Sequence, residues 1–167
     1  MNFTEINCEN LNMNAFKSIG KDWMLITSGN KEKFNTMTAS WGSVGVLWNK
    51  NIATIFVRPQ RYTFEFLENN DFYTLSFFDD EFKKELAFCG RNSGKDLDKV
   101  KSTGLAPIFD DNFTFFSQAK LVFVCKKIYT DFIKPDNFLD DSIKINYENN
   151  DYHKMYVGEI MKCLVKK

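Results

Sequence analysis

The chain is short of several things, and each shortage narrows its chemistry. It has one histidine, His153, and its four cysteines, Cys8, Cys89, Cys125 and Cys163, include no C-x-x-C pair. A dedicated transition-metal site has few ligands to draw on, and no metal is expected. Nothing points to a secreted, disulfide-stapled chain, so the cysteines read as reduced packing residues. A single histidine and the lack of a G-x-S-x-G elbow count against a serine hydrolase. No G-x-G-x-x-G run is present, so a nicotinamide dinucleotide would have no dedicated fingerprint here. The 22 basic and 22 acidic residues cancel, which removes any bulk field for nucleic acid or an anionic membrane. No apolar run approaches the roughly 18–20 residues that span a bilayer. The opening Met1-Asn2-Phe3-Thr4-Glu5 lacks the basic and apolar regions of a signal peptide, which leaves the cytoplasm as the expected compartment.

What the chain has in quantity is apolar surface. With 167 residues, 44% of them hydrophobic and 18 of them phenylalanine, it has enough to build one well-packed domain over 1–167. No repeat, low-complexity tract or proline-rich linker divides it. Strand patterns run over Trp23–Ser28, Phe34–Trp41, Ile52–Val57, Phe72–Phe78, Lys120–Ile133 and Tyr152–Val165. Short helices are expected at Asn14–Ile19, at Thr63–Glu68 with Thr63 as cap, after Asp79 or Asp80 up to Gly90, and at Asp96–Lys101 ahead of Gly104. The stretch from Pro135 to Asn150 is polar and poorly patterned. Five to seven strands without a regular βαβ rhythm predict a mainly β fold, an antiparallel barrel with helical decorations. Trp23 and Trp48 are assigned to its core.

The polar residues are less evenly spread. The chain has nineteen lysines but three arginines, and Arg58, Arg61 and Arg91 all fall between the third strand pattern and the segment Cys89-Gly90-Arg91-Asn92-Ser93-Gly94-Lys95-Asp96. A guanidinium fork grips an oxyanion with two bonds, which an ordinary surface lysine does not. Hydroxyl and glycine residues accompany the arginines, which favours an anion site over a chance cluster on a solvated surface. Upstream, Thr36, Thr38 and Ser40 lead to Trp41, an indole suited either to the core or to the border of a flat ring. The Gly90–Asp96 segment is not a Walker A loop: its glycines are one residue too close, and Asp96 stands where a magnesium-holding hydroxyl belongs. Ser93, Gly94 and Lys95 remain as an oxyanion-friendly turn or a plain capped one. His153 precedes or enters the last strand, as a surface residue or as a proton-exchanging neighbour of a redox group. Residue chemistry alone leads to a barrel that binds a phosphorylated aromatic cofactor.

These residues also resemble a known family. Asn35-Thr36-Met37-Thr38-Ala39-Ser40-Trp41-Gly42 resembles the N-x-M-T-A-S-W signature of the flavin reductase-like proteins, and Arg58-Pro59-Gln60-Arg61-Tyr62-Thr63 resembles their R-P-x-R-x-T stretch. The run Phe88 to Lys99, with Thr103-Gly104-Leu105, is similar to the flavoredoxin-like branch. His153 with Gly158-Glu159-Ile160 is similar to the closing D-H-x-x-x-x-G-x-V pattern, except that Tyr152 separates Asp151 from His153. The matches run in order from about Trp23 to Ile160. The resemblance implies an FMN-binding split β-barrel of antiparallel, Greek-key type, with FMN in a groove at a homodimer interface. Asn35, Thr36, Met37, Thr38, Ala39, Ser40 and Trp41 would line the flavin. Arg58, Arg61 and Thr63 would hold its phosphate or ribityl side, joined by Ser93 and Lys95, and His153 would sit near the ring as the catalytic residue. It further implies NAD(P)H as a transient co-substrate and a flavin, ferric or protein electron acceptor. The alternative within the resemblance is an FMN electron carrier without NAD(P)H turnover. A sibling barrel handling pyridoxal phosphate or haem fits the N-x-M-T-A-S-W run poorly.

Overall fold

Each of the six apolar patterns becomes a strand in the computed structural model, which describes residues 2–167. They are β2 (Met24–Gly29), β3 (Phe34–Ala39), β5 (Lys50–Val57), β6 (Phe72–Phe77), β9 (Leu121–Phe132) and β10 (Lys154–Lys166). Four further strands appear where the sequence pattern is weak: β1 (Phe3–Ile6), β4 (Gly42–Leu47), β7 (Pro107–Phe109) and β8 (Thr114–Phe116). The helices are α1 (Ala15–Lys17), α2 (Tyr62–Asn69), α3 (Lys83–Arg91) and α4 (Lys99–Thr103). None is long and apolar enough to cross a membrane.

All strands except β7 and β8, which form their own hairpin, share one sheet in the order β3-β2-β6-β9-β10-β5-β4, with β1 added to β10. Every pairing in it is antiparallel. β3 and β4 follow one another in sequence, joined by Ser40 and Trp41, yet stand at opposite ends of this path. The wall is therefore split at that corner, and among the described residues no strand pairs with the second edge of β3. β9 and β10, of 12 and 13 residues, pair along almost their whole length. Register shifts at Val157/Gly158 and Ile160/Lys162 let this ribbon bend, as bulges do.

Side chains that alternate along the strands build two apolar clusters. Met24, Ile26, Ile55, Tyr73, Leu75, Phe77, Phe123 and Tyr156 fill one face. Leu25, Val122 and Val124 point the other way, onto Leu86 and Cys89 of α3 and Phe115 and Phe116 of β8. Close packing explains Gly158: a Cβ there would lie 2.5 Å from the hydroxyl oxygen of Tyr73. Tyr73 is fully buried and donates to the Ala53 carbonyl at 2.8 Å.

Several local expectations are corrected. Trp48 is not core: it sits at the β4–β5 turn with φ 52° and is 56% exposed. Thr63 does not cap α2, whose N-cap is Arg61; Thr63 is buried as the second residue of the helix and bonded to Asn35. The helix after Asp80 begins as a 3-10 turn and runs through Gly90 to Arg91. The last short helix starts later than read, at Lys99, capped by the Asp98 carboxylate and closed by Gly104 at φ 70°. All four cysteines are free.

Candidate functional site

Two turns meet beside the open edge of β3. The first leaves β5 at Val57 and closes with the Arg61 amide on the Arg58 carbonyl at 3.0 Å, so that α2 begins directly at Tyr62. Among the described residues, no side chain caps this helix N-terminus, which leaves its first amides and its dipole available to an anion. The second is the loop from Asn92 to Asp98 between α3 and α4. In it the Lys95 amide donates to the Ser93 hydroxyl at 3.2 Å, and the Asp96 amide to the Ser93 carbonyl at 3.2 Å. A Cβ on Gly94 would lie 2.0 Å from the Asn35 side-chain oxygen, so a larger residue would push that amide from its place beside Thr63.

Between the two turns is a cavity of about 170 Å³. Arg61, Arg91 and Lys99 bring three cations to it, and Asn35, Thr63 and Ser93 bring polar groups. Among the described residues that line it, none is acidic. Arg61 donates to the Gly90 carbonyl at 2.8 Å, and burial, helped by nearby Arg58, lowers its pKa. Lys99 is 6% exposed and donates to the carbonyls of Thr36 at 2.7 Å and Cys89 at 2.9 Å. Burial pushes its pKa down to about 8. Arg91 is exposed, Arg61 half-buried and Lys99 buried, so the desolvation falls mainly on Lys99, whose charge a bound anion would stabilise.

The hydroxyl strand behaves differently from the expectation. The Thr36 hydroxyl pairs with that of Thr27 at 2.9 Å and lies 3.2 Å from the Ile26 carbonyl, while the Thr38 hydroxyl donates to the Leu86 carbonyl of α3. Both hydroxyls are thus occupied inside the protein. What β3 offers outward is backbone: Lys99 reaches the Thr36 carbonyl on the free edge, and Thr38, two residues on, presents its own backbone groups to the same edge. Asn35 donates to Thr63 at 2.8 Å and ties this strand to the start of α2. Met37 is buried along the cavity wall.

Arg58, Trp41 and His153 form a second group, outside that cavity. Arg58 is paired with Asp151, donates to the Asn146 carbonyl at 2.8 Å and stacks over Tyr147. His153 is buried, shares a 2.9 Å hydrogen bond between Nδ1 and the Tyr147 hydroxyl, and packs its ring 5.1 Å from that of Trp41. Burial, with a smaller contribution from Arg58, pushes its pKa down to about 4. Burial thus holds the imidazole neutral across the range in which a free histidine titrates. The unpatterned stretch before it supplies this environment: Tyr147 stacks on Tyr152 at 4.8 Å, and Phe138 packs against both. Trp41, half exposed, also borders a groove with Ser40 and Phe16. Lys95 turns away to pair with Glu65 and lines a larger adjoining cavity of about 570 Å³ with Phe34, Leu97 and Phe109.

The sequence reading thus found Asn35, Met37, Arg61, Thr63 and Ser93 in one place and noted Arg91. It missed Lys99, one lysine among nineteen whose only signal is its place at the start of a capped helix. No group of His, Cys, Asp or Glu suited to a metal ion occurs among the described residues.

Comparison with known proteins bears on this arrangement. The family model for the flavin reductase like domain matches residues 16–167. No curated protein sequence matches the chain. Among solved structures, the fold is similar to flavoredoxin from Methanosarcina acetivorans, at 20% identity and a TM-score of 0.69 over 98% of this chain and 75% of that one. It is similar to an FMN-binding domain of a flavin reductases-like enzyme from Shewanella baltica, at 15% identity and a TM-score of 0.70 over 99% and 78%. The flavoredoxin of Desulfovibrio vulgaris is matched at 16% identity and a TM-score of 0.69 over 98% and 78%.

Proposed function

Because the chain belongs to the flavin reductase-like family, we propose that it holds FMN with the phosphate in the Arg61–Arg91–Lys99 cavity. It works as an NAD(P)H-dependent oxidoreductase, passing electrons to a flavin, ferric or protein acceptor. The observation that carries this reading is the cavity itself: two guanidinium groups, one buried ammonium and an uncapped helix N-terminus, with no acidic residue in the described lining. That donor set suits a phosphate monoester, whose charge at pH 7 is about −1.5 to −2.

Bound there, FMN supplies hydride acceptance from a nicotinamide and onward electron delivery. The chain's part is to bind and orient. Arg61 and Arg91 hold the ester oxygens, Ser93 and Thr63 frame them, and Asn35 keeps β3 in register with the start of α2. The backbone edge at Thr36 and Thr38, with Met37, Ala39, Ser40 and the Trp41 indole, lines the path of the ring system. Lys95 stands at the rim, held by Glu65. Arg58 acts through Asp151 and Tyr147, fixing the segment that packs His153. His153 keeps Trp41 in place as a neutral partner. Without a dinucleotide fingerprint, the nicotinamide binds only in passing. Val46, Leu47 and Trp48 of the β4–β5 hairpin, with Tyr129 beside Trp48, expose an apolar patch that a second copy of the chain covers.

The test is the visible absorbance of freshly purified protein, before and after NADH or NADPH is added without oxygen. A two-banded flavin spectrum that bleaches supports the oxidoreductase. A flavin spectrum that stays oxidised replaces it with an FMN electron carrier reduced by another protein. A colourless protein that takes up no added FMN overturns the reading.

A further inference from the structure

Lys99 stands apart from the other cations of the cavity. Arg61 and Arg91 carry guanidinium groups that stay charged at any working pH. A buried lysine does not have to. Two of the three ammonium donors of Lys99 go to the carbonyls of Thr36 on β3 and Cys89 on α3. The residue borders both the small cavity and the larger one beside it, and among the described residues no carboxylate pairs with it. Resting on the FMN reading, we propose that Lys99 is a proton-gated donor of the phosphate cavity: charged, it gives its third N–H to the ester, and neutral, it releases the ester.

The surroundings support this assignment. Around Lys99 are Arg61 from the start of α2, Arg91 and the Cys89 thiol from α3 and Thr36 from β3, while Lys95, Asp96 and Asp98 of its own loop line the larger cavity with it. Glu85 lies further along α3, beside Cys89. The Cys89 thiol is pushed up to about 11 by burial, while Lys99 is pushed down to about 8. Phosphate monoesters have a second pKa of about 6 and are close to fully dianionic above about pH 7. Burial thus brings the Lys99 ammonium into the range between pH 7 and 9. An arriving dianion raises its proton affinity, so above pH 8 binding must draw a proton from solution.

The experiment is FMN binding to apoprotein, followed by flavin fluorescence at pH 7 and pH 9, with riboflavin as the ring-matched control. Calorimetry in two buffers of different ionisation enthalpy counts the protons taken up. With an apoprotein pKa of about 8, the Kd for FMN rises about tenfold from pH 7 to pH 9 and close to one proton is taken up at pH 9. Riboflavin affinity changes little. Lys99→Arg keeps tight FMN binding and removes the pH dependence. Lys99→Met binds FMN weakly at both pH values, and should that variant misfold, the wild-type and Lys99→Arg titrations still decide. Equal FMN affinity at pH 7 and 9 without proton uptake overturns the role of Lys99 and leaves the FMN site standing. No FMN binding at pH 7 overturns both.

Discussion

The single histidine offers a direct check on how the second residue group is built. His153 is buried against Tyr147 and Trp41, and its pKa falls from the ordinary 6.5 to about 4. Between those values the unfolded chain binds a proton that the native protein refuses, so stability drops as the pH falls through that window. A shift of that size is worth about 3 kcal/mol once titration is complete, at about 1.4 kcal/mol per pKa unit. At pH 4.5 most of it, about 2–3 kcal/mol, is already lost. Urea denaturation at pH 7 and pH 4.5 measures the total change, to which carboxylates such as Asp151 also contribute. Comparison with His153→Gln, which keeps an amide for the Tyr147 hydroxyl but cannot titrate, isolates the histidine share. Wild type should lose about 2–3 kcal/mol more than this variant on acidification. Because the chain has one histidine, its ring proton in an NMR titration reports the same pKa without a variant. A midpoint near 6.5, or equal acid sensitivity of the two proteins, refutes the buried neutral imidazole.

Two further outcomes follow from packing. Gly158→Ala places a Cβ 2.5 Å from the Tyr73 hydroxyl at the bend of β10, inside a core with no room for either to retreat. Overpacking of this kind costs about 1–3 kcal/mol, and a thermal melt should show a lower Tm; an unchanged Tm would mean that the ribbon is not seated on Tyr73 as described. Trp48→Lys puts a charge at the tip of the exposed apolar hairpin. Sedimentation should show a dimer for wild type and a monomer for the variant, while a wild-type monomer removes the proposed pairing.

What the sequence made legible follows from physics that acts locally. β2, β5, β6 and β9 carry runs of buried apolar and β-branched residues, so their pattern announces them. β1 and β4 do not: Phe3–Ile6 alternates weakly, and Gly42–Leu47 carries two glycines and mostly exposed side chains. Pro107–Phe109 and Thr114–Phe116 are too short for a period to show. Trp48 misled because an indole is usually buried, whereas here the β4–β5 turn holds it out in a left-handed conformation. In the site, Arg61, Thr63 and Ser93 were readable as residue types suited to an oxyanion. The pairing of Arg58 with Asp151 links residues 93 apart in sequence. The burial of Lys99 under α3 is likewise a product of tertiary structure, and no local pattern carries either. The hydroxyls of Thr36 and Thr38 looked like ligand donors, but a strand edge packed under a helix gives them carbonyl and hydroxyl partners of its own.

The central claim is that the cavity between α2 and the Asn92–Asp98 loop holds the phosphate of FMN. Its most direct measurement is the Kd of apoprotein for FMN and for riboflavin at pH 7, in wild type and Arg61→Ala. A charge-assisted contact is worth about 1.5–3 kcal/mol, so the variant should bind FMN about tenfold to 150-fold more weakly. Its affinity for riboflavin, which has no phosphate, should stay as in wild type. Equal FMN affinity in the two proteins, or no preference of wild type for FMN over riboflavin, would contradict the account.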